Sequence, residues 1–430
     1  MQTRKNRRSR ALLMAAAATA GLLLAATTSS VAVAGGGHHG GHHGGHHGGH
    51  HGGHHGGHHG GHHGGHHGGV KKPVANRFYV PPANPGALDQ IAELEAAGQQ
   101  EDADGLRALI GTPQAVWLTG QEGSNVKHDA RRVVKNAARK RAMPVLSLYN
   151  VPGRDCAQYS AGGAANTAEY QEWIDDVAKG IGRHHALVIL EPDSLALMPG
   201  DCGQDDEEGT LTAARFEEVR YAVDKLGSLP NTTVYLDAGH SNWHSVNSIV
   251  PRLLEADVAD ARGFYLNPSN YQPDEDLAHY GTLISGCLAY AAEGGDPASC
   301  PNQWWPREDA LGWLAGNVTT DQADWPKFVT DTSRNGQGPW TPPADTYPDP
   351  QDWCNPPDRG AGKRPTTETG NPLIDAHLWI KIPGESDGLC LRGTEGPEDP
   401  ARGMVDPPAG TWFPEQALEL VRYANPPLLG

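Results

Sequence analysis

Two acids, Glu191 and Asp193, follow four aliphatic residues, Leu187-Val-Ile-Leu190. An uninterrupted apolar run of this length predicts a strand buried on both faces. Pro192 cannot donate to a sheet ladder, so the strand should stop there. The two carboxyls then stand just past the carboxyl end of a buried strand, where α/β proteins bind ligands. A carboxyl held against an apolar strand end beside a second acid has a raised pKa and can serve as a general acid. Taken alone, the segment reads first as a solvated loop acid or a helix cap. The rest of the chain changes that reading.

Six further apolar runs end in polar or aromatic residues in the same way. Ala115–Leu118 leads to Thr119, and Val145–Tyr149 leads to Arg154, Asp155 and Cys156. Val234–Leu236 leads to Asp237 and His240, and Phe264–Leu266 to Asn267, Ser269 and Asn270. Phe328-Val329 leads to Asp331, Ser333 and Arg334, and Leu378–Ile380 to Lys381, Glu385 and Asp387. Helical patterns lie between several of them: Gly86–Ile110, Asn125–Ala142, Thr167–Ile181 and Leu211–Leu226, with Phe413–Tyr423 as a closing helix. Repeated βα units predict an α/β fold with a parallel sheet, and seven of them suggest closure into a barrel. An open doubly wound sheet is the alternative.

In a barrel these polar clusters converge on one rim. It would carry Asp155, Asp193, Asp237, Asp331, Glu385 and Asp387, with Tyr149, Trp117, Trp243, Trp353 and Trp379 among them. Acids with exposed rings are what hydrolysis of a glycoside needs: one carboxyl protonates the leaving oxygen, another handles water or the sugar, and flat rings stack on sugar faces. Metal binding by these aspartates with His240 is the competing reading, but no His-x-x-x-His or EF-hand spacing supports it. We therefore expect no metal in the site and no cofactor. Core packing is the better reading for any single Trp. Eleven Trp against five Phe tilts the balance towards carbohydrate.

Residues 1–34 read as a secretory signal: basic residues from Arg4 to Arg10, an apolar stretch Ala11–Ala26, then Ala32-Val-Ala34 for cleavage. Arg7-Arg8 permits a twin-arginine route. Without this segment the chain carries 29 basic and 51 acidic residues, a net charge of −22. That argues against nucleic acid or an anionic membrane as partner. Residues 35–70 are a Gly/His tract holding 16 of the 23 histidines, expected to be disordered and able to bind transition metals such as zinc, copper or nickel. Residues 71–430 have globular composition, enough for one large domain. Six cysteines in an exported chain predict three disulfides, and chain order favours three local loops.

Several of these segments together resemble a known family. Tyr149-Asn-Val-Pro-Gly-Arg-Asp155-Cys156 and Leu190-Glu-Pro-Asp-Ser-Leu-Ala196 are similar to the two signatures of glycoside hydrolase family 6. Tyr235–Trp243, Asp331–Gly336 and Lys381–Gly388 resemble further blocks of that family, in the same order. The resemblance spans about residues 75–425. It implies a distorted seven-stranded parallel (β/α) barrel, TIM-like, and inverting hydrolysis of β-1,4-glucan. It makes Asp193 the catalytic acid, Asp155 the neighbour that raises its pKa, Asp387 a candidate base, and Tyr149 the residue that favours a distorted sugar ring. Asp237, Lys381 and Glu385 match supporting or sugar-binding positions, and Trp117, Trp243 and Trp353 match sugar platforms. The rim residues His240, Asn267 and Asn270 join them as candidate substrate contacts. Cys156–Cys202 and Cys354–Cys390 match the family's disulfides, which leaves Cys287 with Cys300. One position departs: where the family has a serine that helps hold the attacking water, Ser160 is followed by Ala161 at the aligned place. Long proline-rich stretches, 336–353 and 388–412, resemble loops that roof the site in bacterial exo-acting cellobiohydrolases; an endoglucanase of the same family is the alternative. The expected partners are cellulose and cello-oligosaccharides, and the expected state is a secreted monomer.

Overall fold

The computed structural model describes residues 77–121 and 123–430. The expected signal segment and the Gly/His tract lie outside them. Seven parallel strands form one sheet in simple sequence order: β1 (Val116–Leu118), β2 (Val145–Leu148), β3 (Ala186–Leu190), β4 (Thr232–Asp237), β5 (Gly263–Leu266), β6 (Lys327–Asp331) and β7 (Ile374–Leu378). Each strand is joined to the next by a crossover, helical in every case but β6 to β7, as parallel neighbours require.

Strand alternation sorts the side chains into two layers. Ala186, Val188 and Leu190 of β3 pack outward into the helical layer. Leu187 and Ile189 point the other way and meet Val145, Tyr235, Tyr265, Val329, Ala376 and Leu378 inside the curl. Both faces are dry, which is why the β3 run has no polar break. The outer layer includes α3 (Val126–Arg139), α4 (Thr167–Ile181), α5 (Thr210–Gly227), α6 (Val246–Glu255), α7 (Asp274–Ala292) and α8 (Arg307–Asn317).

The sheet curls as a distorted barrel, open at one seam. Among the described residues no ladder joins β7 to β1. The backbone N–H of Ala115 donates to the carbonyl of Trp379 at 2.9 Å, and the Trp117 indole donates to the carbonyl of Ile380 at 2.8 Å. Helices α1 (Pro85–Ala96), α2 (Gln100–Ile110) and α9 (Pro414–Arg422) form a third apolar cluster with Trp379 and Trp412.

Two boundaries differ from the sequence reading. The span 86–110 is two helices, because the chain turns at Gly98 with φ of 75°. The last strand is Ile374–Leu378, not 378–380. Its polar residues hid it. Asp375 is held by Arg262 at 2.8 and 2.9 Å and by the Tyr235 hydroxyl at 2.7 Å, and His377 by Thr330 at 2.7 Å. No described helix is long and apolar enough to cross a membrane.

Candidate active site

The carboxyl ends of the strands open into a cavity of about 1150 Å³. Its wall includes Trp117, Tyr149, Asp155, Asp193, His240, Trp243, Asn270, Trp353, Lys381, Glu385 and Asp387. Residues from both ends of the sheet therefore face one space.

The strand-end acids divide into two kinds. Glu191 is buried, with φ of 50°, and turns away from the cavity. Its Oε2 accepts the backbone N–H groups of Asn150 at 2.7 Å and Val151 at 2.9 Å, which ties the loop after β2 to the end of β3. Asp237 does the same one strand along. Its Oδ2 accepts from Leu195 at 3.1 Å and Ala196 at 2.8 Å, and its Oδ1 from Gly239 at 3.1 Å. Asp331 accepts from Ser269, Ser333, Ile380 and Lys381. These three carboxylates fix backbone, while Asp155, Asp193 and Asp387 remain on the wall. Asn267 is also buried off the wall, donating to the Asp331 carbonyl at 2.8 Å. The structure thus separates Asp237 and Asn267 from the other candidate contacts.

The wall carboxyls sit in opposite electrostatic settings. Burial first, then the charges of Asp237 and Asp155, hold Asp193 well above the usual carboxylate range, against a hydrogen bond with Tyr149. Burial lifts Asp155 to about 6; the Ser160 N–H at 2.5 Å and Arg154 pull it down, and Asp387 pushes it up. Burial would raise Asp387 too, but two cations outweigh it. Arg334 Nη1 lies 2.8 Å from Oδ2, Lys381 Nζ lies 3.1 Å from Oδ1, and the Asn355 N–H donates to Oδ2 at 3.0 Å. Asp387 is therefore held below its ordinary value, as a carboxylate. The wall acids are thus pushed in opposite directions, Asp193 and Asp155 up and Asp387 down.

The neighbouring groups are placed by short links. Tyr149 packs edge-on against Trp117 at 5.3 Å, and the Arg154 guanidinium lies 4.7 Å from the Tyr149 ring. Arg215 bridges the loops after β2 and β3, donating to the carbonyls of Pro152 at 2.7 Å and Ser194 at 3.1 Å. Burial raises Glu385, whose Oε1 accepts from Asn84 at 3.0 Å. His240 is pushed down to about 4 by burial and by His244, so it is a neutral imidazole. Trp243 is 37% exposed beside it, with ring centroids 5.5 Å apart. Trp353 approaches Tyr159 at 6.2 Å. Trp379 is not on the rim: it is buried in the third cluster, its indole donating to the Lys363 carbonyl. Ser160 and Ala161 both line the cavity.

Three disulfides close the expected local loops, Cys156–Cys202, Cys287–Cys300 and Cys354–Cys390. Pro339 and Trp353 from one proline-rich loop and Ala409 and Gly410 from the other reach the cavity wall. Arg392, fully buried, clamps these loops together. It pairs with Asp399 at 2.6 and 2.9 Å, donates to the carbonyls of Pro350, Gln351 and Cys354, and stacks 4.7 Å from the Trp340 ring. The Cys287–Cys300 segment does not line the cavity. Cys390, Asp399 and Asp406 are the one described cluster with metal-ligand spacing. Its cysteine is in a disulfide and Asp399 is paired with Arg392, so it does not read as a metal site.

Sequence reasoning missed Asn355. Its Oδ1 accepts the Asp387 N–H at 2.8 Å, and its amide donates to Ser386, Gly388 and Asp406 at 2.8–2.9 Å. A lone Asn after a cysteine gives no periodic signal. Arg334 was noted at a strand end, but nothing in the sequence joined it to Asp387, 53 residues away.

The chain has relatives among known proteins. The profile of Glycosyl hydrolases family 6 matches residues 74–424. Endoglucanase A of Cellulomonas fimi is 36% identical over 350 residues, covering 81% of this chain and 61% of that protein. This chain thus spans about three-fifths of that relative's length. The probable 1,4-beta-D-glucan cellobiohydrolase C of Aspergillus niger is 28% identical over 381 residues, covering 80% of this chain and 73% of that protein. Among solved structures, the endoglucanase Cel6 of Mycobacterium tuberculosis superposes with a TM-score of 0.61 at 35% identity, covering 82% of this chain and 98% of that one. With the profile matching most of the sequence and the seven-stranded sheet matching a solved member, the chain belongs to glycosyl hydrolases family 6.

Proposed function

We propose that the chain is a secreted hydrolase that cleaves β-1,4-glucosidic bonds of cellulose and cello-oligosaccharides with inversion. The observation that carries this reading is two carboxyls on one cavity wall in opposite settings, Asp193 buried beside other acids and Asp387 between Arg334 and Lys381. Asp193, held protonated, gives its proton to the leaving glycosidic oxygen as the bond to the anomeric carbon breaks. Asp387, held ionised, takes a proton from the water that forms the new bond on the opposite face. Asp155 adds negative charge beside Asp193, which keeps the acid protonated. Tyr149 and Trp117 pack together on the wall, while Trp243 and Trp353 offer rings for sugar faces. The solved M. tuberculosis relative is in complex with a thio-linked cellobioside, a sulfur-linked analogue of such a chain. The Gly/His tract adds, on our reading, a transition-metal-binding appendage that takes no part in the chemistry. Three disulfides suit an exported protein.

For the mode of attack, we favour release of cellobiose from chain ends, the non-reducing ends being what the resemblance implies. The loops 336–353 and 388–412 border the cavity and are locked by Arg392 and Cys354–Cys390, so they suit a fixed cover over a threaded chain. The endo reading has its own support: the C. fimi and M. tuberculosis relatives, more identical to this chain than the A. niger cellobiohydrolase, are endoglucanases. Viscosity and reducing ends followed together on carboxymethyl cellulose separate the two. Cellobiose release with little loss of viscosity is the expected result. A rapid fall in viscosity at low sugar release would establish the endo mode.

A further inference from the structure

Trp304 and Trp305 are 62% and 41% exposed, large apolar rings side by side on the surface. Such a pair is uncommon on a soluble protein unless something covers it. The segment that carries them is rigidly built. Cys287–Cys300 anchors it to α7, and the Asn247 amide donates to the carbonyls of Ala298 at 2.9 Å and Cys300 at 2.8 Å. Asn302 then shapes the turn: its Oδ1 accepts the Trp304 N–H at 3.1 Å and its carbonyl the Trp305 N–H at 3.2 Å.

The turn is joined to the cavity wall. The Gln303 amide donates to the carbonyls of Ser241 at 3.0 Å and His244 at 2.9 Å. That loop carries His240 and Trp243, which line the cavity, and Trp243 is itself 37% exposed. The exposed pair is therefore held beside the loop that forms part of the cavity wall. On one side Asn302 and Gln303 are uncharged, and on the other Arg307, Glu308 and Asp309 supply one cation and two anions. With a chain charge of −17, the patch suits a neutral ligand rather than an anionic one.

From these observations we infer that Trp304 and Trp305 form an auxiliary binding surface for a β-glucan strand of insoluble cellulose, outside the cavity and beside its wall. The proposal rests on the hydrolase reading above. Stacking of indole faces on pyranose faces supplies the contact, and the pinned turn keeps the ordering cost low.

The test compares the full chain with the Trp304→Ala/Trp305→Ala variant and with the Trp304→Tyr/Trp305→Tyr variant. Partition onto phosphoric-acid-swollen cellulose is measured in the cold, and kcat/KM on soluble cellotetraose in parallel. Loss of two stacking rings should lower the partition constant roughly 3- to 10-fold. Turnover of cellotetraose should stay unchanged, and the tyrosine variant should recover part of the binding. An unchanged partition constant overturns the proposal. So does an equal loss on both substrates, which would mark a structural role. Wild-type turnover of cellotetraose checks the hydrolase reading separately: if it is present and binding is unaltered in the alanine variant, the auxiliary surface alone is refuted.

Discussion

At the scale of single residues, the proposed chemistry rests on chemically similar groups pushed in opposite directions. Asp193 and Asp387 are both aspartates on one wall, yet burial and like charge raise one while Arg334 and Lys381 lower the other. Asp193→Asn keeps the shape and removes the transferable proton. It should lower kcat on cellopentaose by at least about 10²-fold with binding retained, measured by steady-state kinetics and calorimetry. Turnover near the wild-type rate would refute the assignment. Asp387→Ala should be similarly severe. A mild effect would move the base to Asp155, whose carboxyl at about 6 is better matched to accept a proton near neutral pH.

At the scale of elements, the site depends on strand ends tied to their neighbours. Glu191, Asp237 and Asp331 each accept backbone N–H groups from adjoining loops, so three strand ends are stapled by buried carboxylates. Asn355 performs the equivalent task behind Asp387. Asn355→Ala leaves several buried polar partners unmatched. It should cost about 2–4 kcal/mol in urea unfolding and lower kcat at least about tenfold with KM little changed. Unaltered kcat in the folded variant would deny Asn355 its positioning role. The strands were legible because an aliphatic run between two dry layers has no polar break, as in Leu187–Leu190. β7 was misplaced because Asp375 and His377 are satisfied by Arg262, Tyr235 and Thr330, partners remote in sequence. Helices α6, α7 and α8 were missed: Pro251 interrupts the first, the second is buried on most sides, and the third is weakly amphipathic, with Ala310 and Leu314 as its buried residues. Within the site, the wall acids could be picked out. The difference between a wall acid such as Asp193 and a staple such as Asp237 could not, because both follow strands and only folding decides which way the carboxyl turns.

At the scale of the molecule, the acid-rich interior links stability to pH. Burial lifts Glu191 to about 7 from an ordinary 4.5, so the folded state holds its proton more tightly than the unfolded chain does. Its contribution to stability is fullest below pH 4.5 and is lost as pH rises through about 7. Glu191→Gln retains an acceptor for Asn150 and Val151 without the charge. Relative to wild type, it should gain on the order of 1–3 kcal/mol at pH 8, with the difference shrinking in acid, measured by urea titration. A difference that does not vary with pH would contradict this. Everything in the functional account requires Asp193 and Asp387 to act on opposite faces of one sugar. The most direct measurement is the anomeric configuration of product first released from cellopentaose, read by proton NMR before mutarotation. The account predicts the α-anomer; initial release of the β-anomer would contradict it.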